Sequence, residues 1–166
     1  MKGVLVAGIG NVFLGDDGFG VEVVSRLANR PLPAGVEVAD YGLRGYDLAC
    51  ALLEDYRAAV LVDAVQRGHA PGTLAVIEPD VDDPDGSGAP GLVDGHGLNP
   101  VEVLRLVRQL GGRPPPLFLV GCEPATFGPE EEGLMGLSPP VEAAVDEAVR
   151  MVESLARRLA SGQEVD

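Results

Sequence analysis

Four aspartates and a histidine are the residues in this chain whose types and spacing could do chemistry: the adjacent Asp16 and Asp17, then Asp40, Asp63 and His96. One imidazole and two carboxylates brought together from separate segments would suit a divalent transition metal with open coordination positions. The acid pair lies within "GIGNVFLGDDGFG", Gly8 to Gly20, which holds five glycines. A phosphate would use such glycines but not the acids. A metal, or a water to be activated, would use both.

Each candidate also has a plainer reading. Asp16 or Asp17 can simply cap a helix beginning near Gly18, a service worth about 1 kcal/mol, and one of the two is expected to do so. Nothing within the pair says which. Asp63 interrupts the apolar run "AAVLVDAV", Ala58 to Val65; an unpaired carboxylate there is costly and needs a partner or a metal. His96 by itself reads as a loop histidine, and His69 as a solvent-exposed one at a hairpin tip. Asp40 could accept a ribose hydroxyl, which keeps a nucleotide-binding module as an alternative. Against it, a G-x-G-x-x-G fingerprint beginning at Gly8 would need glycine where Phe13 stands. No G-K-[ST], G-x-S-x-G or H-E-x-x-H occurs.

The elements that must position these residues follow from periodicity. "GVLVAG" (Gly3–Gly8) and Ala58–Val65 read as buried strands, and "GVEVAD" (Gly35–Asp40) alternates like one. Helices are predicted over Phe19–Ala28 and Tyr46–Tyr56 from their apolar spacing. "TLAVIE" (Thr73–Glu78) follows Asp63 too closely for a crossover helix, so a hairpin and an antiparallel strand are predicted there. Pro79–Gly97 reads as a mobile surface loop. A helix then begins at Asn99, with Pro100 in its first turn and Glu102 three residues after the cap. "PLFLVG" (Pro116–Gly121) is the last strand, and the closing helix starts at Ser138.

The order β-α-β-α-β-β-α-β-α predicts an open, mostly parallel five-stranded α/β sheet with one antiparallel strand and helices on both faces, a three-layer α/β/α arrangement. Residues 1–160 form one domain in this reading, and 161–166 a polar, frayed tail. Such sheets bind ligands beyond the carboxyl ends of their strands, where the order reverses. With strand one between two and three, Asp17 and Asp63 would flank that crevice and His96 could swing over it.

Composition narrows the partners. At 46% hydrophobic residues the chain is not globally disordered, and its net charge of −14 opposes nucleic-acid binding. No apolar run is long enough for a membrane span, and no leader-like stretch precedes the first strand, which points to a cytoplasmic protein. Cys50 and Cys122 have no partner cysteine at metal-ligand spacing and read as buried structural thiols. Oligomeric state is not legible.

Taken together, "GIGNVFLGDDGFG", "LVDAV" (Leu61–Val65), "APGT" (Ala70–Thr73), "DGHGLNP" (Asp94–Pro100) and "LVGCEP" followed by "GLSPPVEAAV" resemble the hydrogenase maturation endopeptidases. The segments cover essentially the whole chain in the right order. The resemblance implies a metal-dependent protease, of the type also described as aspartyl, that removes the C-terminal extension of a nickel–iron hydrogenase large subunit. It implies nickel, supplied by the precursor, held by Asp17, Asp63 and His96. Asp16 or Asp40 is then a candidate general base, or only a handle for the peptide. Gly10, Asn11 and Gly42 would let the substrate backbone approach. A neutral His96 is needed for ligation, so affinity should fall as pH drops through its titration. Tyr41 stands where many members carry glycine. A non-catalytic chaperone of hydrogenase assembly is the other reading.

Overall fold

Alternation along β1 (Lys2–Ile9) decides how the layers form. Val4 and Val6 enter one apolar cluster, while Leu5, Ala7 and Ile9 enter another on the opposite face. Both sides of the strand are therefore buried, which is why it reads as a continuous apolar run. The computed structural model describes residues 2–82, 98–129, 131–163 and 165. His96 lies outside the described residues, as does most of the predicted Pro79–Gly97 loop.

Four more strands complete the sheet: β2 (Val36–Gly42), β3 (Tyr56–Ala64), β4 (Leu74–Ile77) and β5 (Leu117–Cys122). Their order is β2-β1-β3-β5-β4, parallel except for β4. Strand one does lie between two and three. Helices α1 (Phe19–Ala28) and α4 (Pro139–Ala160) cover one face through Phe19, Val23, Leu27, Val145 and Val152. Helices α2 (Gly45–Leu52) and α3 (Pro100–Gln109) cover the other through Leu48, Leu52, Leu104 and Val107. Each helix follows or precedes a parallel strand, so the N-termini of all four gather at the carboxyl edge of the sheet.

Three expectations are corrected. β4 is antiparallel, but it forms no hairpin with β3: β5 lies between them, and β4 pairs with β5 from Leu74–Cys122 to Ile77–Leu119. The 65–73 link passes over the end of β5. It is held there by Val65 N–H on the Cys122 carbonyl (2.9 Å) and Gly72 N–H on the Glu123 carbonyl (2.8 Å). His69 is exposed on this link, not on a hairpin. The second helix ends at Leu52 rather than Tyr56, because Tyr56 is already paired with Lys2 in the sheet. The tail is not wholly loose, since Val165 packs against the cluster under α1 and α4. No described helix is long and apolar enough to cross a membrane.

Candidate functional site

The glycine-rich stretch does two structural things before any ligand is considered. Gly20, in the first turn of α1, lies so close to the ends of β1 and β3 that a Cβ there would overlap the Val62 carbonyl oxygen. Gly10 has φ +131°, and a Cβ on it would overlap the Asp17 carbonyl oxygen. Only glycine permits that conformation and that approach. The chain thus folds back on itself, and a short 3-10 turn at Gly15–Gly18 carries both aspartates beneath the strand ends.

Asp17 and Asp63 both lie against this fold-back. The Asp17 carboxylate accepts the Asn11 N–H at 2.8 Å. The Asp63 Oδ1 accepts the Ala64 N–H at 2.8 Å and stands 3.6 Å from where a Gly10 Cβ would sit. Both side chains are buried, 4% and 2% exposed, and both converge on the Gly10–Asn11 peptide. Among the described residues no three His, Cys, Asp or Glu side chains group as metal ligands.

Asp16 goes elsewhere. Its fully buried carboxylate accepts four hydrogen bonds: from Ala125 N–H (2.7 Å), Thr126 N–H (3.1 Å), Ser138 N–H (2.7 Å) and the Ser138 hydroxyl (2.8 Å). It ties the glycine loop to the β5–α4 connection. Neither aspartate caps the first helix as expected: the N-cap of α1 is Gly18, with no side-chain hydrogen bond. Ser138 is the N-cap residue of α4, yet its hydroxyl serves Asp16 and makes no cap bond. Asn99 does cap α3, accepting the Glu102 N–H at 3.0 Å.

Asp40 is exposed and lines a groove of about 310 Å³ together with Gly10, Asn11, Phe13, Gly42 and Leu43. The β1–β2 register slips between Gly8 and Ile9, which pair with Asp40 and Gly42 and leave Tyr41 as the bulged residue. The bulge brings Gly42 onto Gly10, whose N–H donates to the Gly42 carbonyl at 3.0 Å. A larger groove, about 420 Å³ between β4 and α4, has none of these residues on its walls. The candidate residues Asp40, Gly10, Asn11 and Gly42 line the smaller one.

Sequence reasoning passed over Glu123. Its buried carboxylate accepts the N–H groups of Arg67 (2.7 Å) and Gly68 (2.9 Å), pinning the 65–73 link beside the site. The available signal was an acid directly after an apolar strand. Cys122 is buried, whereas Cys50 is only half-buried. Burial, reinforced by the negative charges of Asp16 and Glu123, pushes the Cys122 thiol up to about 12. It is therefore protonated at neutral pH and no nucleophile.

Comparison with known proteins adds an independent line. A family model described as hydrogenase maturation protease matches residues 21–155. The hydrogenase 2 maturation protease of Escherichia coli is 32% identical over 154 residues, covering 90% of this chain and 87% of its own length. The hydrogenase expression/formation protein HupD of Rhodobacter capsulatus is 37% identical over 147 residues, covering 88% and 67%. Among solved structures, the hydrogenase maturating endopeptidase HybD of E. coli superposes with a TM-score of 0.76 at 31% identity, over 95% of this chain and 93% of that one.

Proposed function

This chain belongs to the hydrogenase maturation protease family, and from that premise we propose that it removes the C-terminal extension of a nickel-loaded hydrogenase large-subunit precursor in the cytoplasm. One observation carries the reading: two buried carboxylates, Asp17 and Asp63, converge on the Gly10–Asn11 peptide at the strand-order reversal. Two buried carboxylates directed at one peptide are suited to share a cation brought by the substrate. The nickel is part of the substrate, and His96 is the third donor.

Cleavage then becomes a checkpoint, because a precursor without nickel offers the carboxylates nothing to bind. In the docked complex the metal's charge polarises the scissile carbonyl or an attacking water. Asp40, exposed on the groove, takes the general-base role. Asp16, with four donors already on its carboxylate, holds the loop instead. Gly10 and Gly42 keep the groove floor free of side chains, so a peptide backbone can lie close to the acids.

The test is the mass of a nickel-loaded precursor before and after incubation with this protein. Loss of a C-terminal fragment with the wild type, and none with folded Asp63→Ala or His96→Ala, is the expected result. Normal processing by either variant refutes the ligand assignment. Stable binding with no loss of mass identifies an assembly chaperone instead.

A further inference from the structure

Large apolar side chains on a folded surface are informative when they cluster around a site. Among the described residues the most exposed ones are Met135 (67%), Phe13 (62%), Tyr46 (61%) and Leu43 (50%). Three of these four border the glycine loop. Phe13 and Leu43 line the groove that holds Asp40. Met135 lines a second groove of about 360 Å³, with Gly18, Glu22 and Leu137. Val12 is common to both, so the Val12–Phe13 segment is a ridge between two apolar hollows.

The ridge is rigidly held. Leu134 N–H donates to the Phe13 carbonyl at 2.8 Å, and Gly15 N–H to the Leu134 carbonyl at 2.7 Å. Phe13 N–H donates to Asn11 Oδ1 at 2.9 Å, and Asp16 pins Ser138 just beyond. The wall carrying Met135 and the loop carrying Asp17 are therefore one mechanical unit. A surface ordered in advance loses little entropy on docking.

The rim is acidic. Asp40 and Glu22 line the two grooves, and exposed Glu131 and Glu132 lead into Met135. Arg26, the cation nearest Glu22, is already engaged by Glu22, Glu142 and Asp146. A second copy of this chain, at a net charge of −14, would bring the same acids against this rim.

We infer that the Val12–Phe13 ridge and its two hollows are the docking surface for an apolar segment of the precursor flanked by Lys or Arg, one apolar side chain entering each hollow beside Asp17. The inference rests on the proposed activity and deepens it. Metal recognition reports that nickel is present; this surface selects which protein carries it.

The test pairs two variants with the nickel-loaded precursor. Phe13→Ser with Met135→Ser removes both apolar walls at exposed positions, so melting is retained. KM is expected to rise about tenfold, the effect of truncating interface anchors, with a smaller change in kcat. Glu131→Lys with Glu132→Lys is expected to lower kcat/KM at low salt and flatten its dependence on salt. An unchanged KM in the first variant, with the wild type cleaving normally, overturns the docking surface alone. So does a wild-type dimer in sedimentation that the Ser substitutions break apart. If the wild type does not cleave, the proposed activity fails, and direct binding of the precursor is the readout. Binding weakened tenfold by the Ser pair still supports the surface, and no binding by the wild type overturns both.

Discussion

Replacing Asp16 with alanine would remove the acceptor of four hydrogen bonds that join the glycine loop to the β5–α4 connection. Hydrogen bonds to a carboxylate contribute roughly 1.5–3 kcal/mol each when dry. Ala125 and Thr126 are exposed, so water reaches their N–H groups, and about 1 kcal/mol per bond is the better figure. The expected loss is about 3–4 kcal/mol, which in a chain of this size lowers the melting temperature by roughly 10 °C. Asparagine keeps the shape but turns one oxygen into a donor. Whichever way its amide is placed, it faces a backbone N–H, either that of Ser138 or those of Ala125 and Thr126. Asp16→Asn should therefore lose about 1–2 kcal/mol. Urea or thermal unfolding followed by circular dichroism measures both. Melting of Asp16→Ala within about 2 °C of wild type would refute the staple. So would an Asp16→Asn protein that melts like wild type yet cleaves about a hundredfold more slowly, since that pattern belongs to a general base.

Asp63→Asn should reduce cleavage by about a hundredfold or more, because it removes one of the two carboxylates proposed to meet the nickel; precursor gel shift checks the loss and a thermal melt confirms that the variant is folded. Gly10→Ala should cost about 2 kcal/mol or more, from its positive φ and its overlap with Asp17, and should abolish cleavage as the loop opens, read by unfolding and by precursor mass. Cys122 should resist iodoacetamide in the native protein and label only after unfolding, as peptide mapping would show. Its pH effect has a definite sign. The folded state holds the thiol proton up to about 12, whereas the unfolded chain releases it above about 9, so stability falls as pH rises between them, by up to about 1.4 kcal/mol per pH unit. Cys122→Ala should flatten that alkaline limb in urea titrations.

How much was legible differs from element to element. The bounds of α1, Phe19–Ala28, follow from its own apolar stripe and the proline beyond it. The cap of α3 was equally readable, because Asn99 and Glu102 act within one turn. β4 was recognised as antiparallel, since a short link forbids a crossover, but its neighbour was misassigned. Nothing local states that β5, more than forty positions further on, slides in between. The Tyr46–Tyr56 helix was overextended for the same reason: its last residues are claimed by sheet pairing with Lys2.

The candidate site divides along that line. Residue types, the burial implied for Asp63 and the acid pair beside glycines are properties of short windows, where side-chain period and backbone freedom act within a few residues. On their own they determined an α/β sheet and which acids to follow. What the Asp16 carboxylate bonds to was decided only in three dimensions, because its donors come from 109 to 122 residues away. The same holds for the exposed Phe13 and Met135, brought to one surface by hydrogen bonds between the glycine loop and Leu134. A chain's local preferences set what each segment can be; which distant partner fills a buried carboxylate depends on how those segments close upon one another.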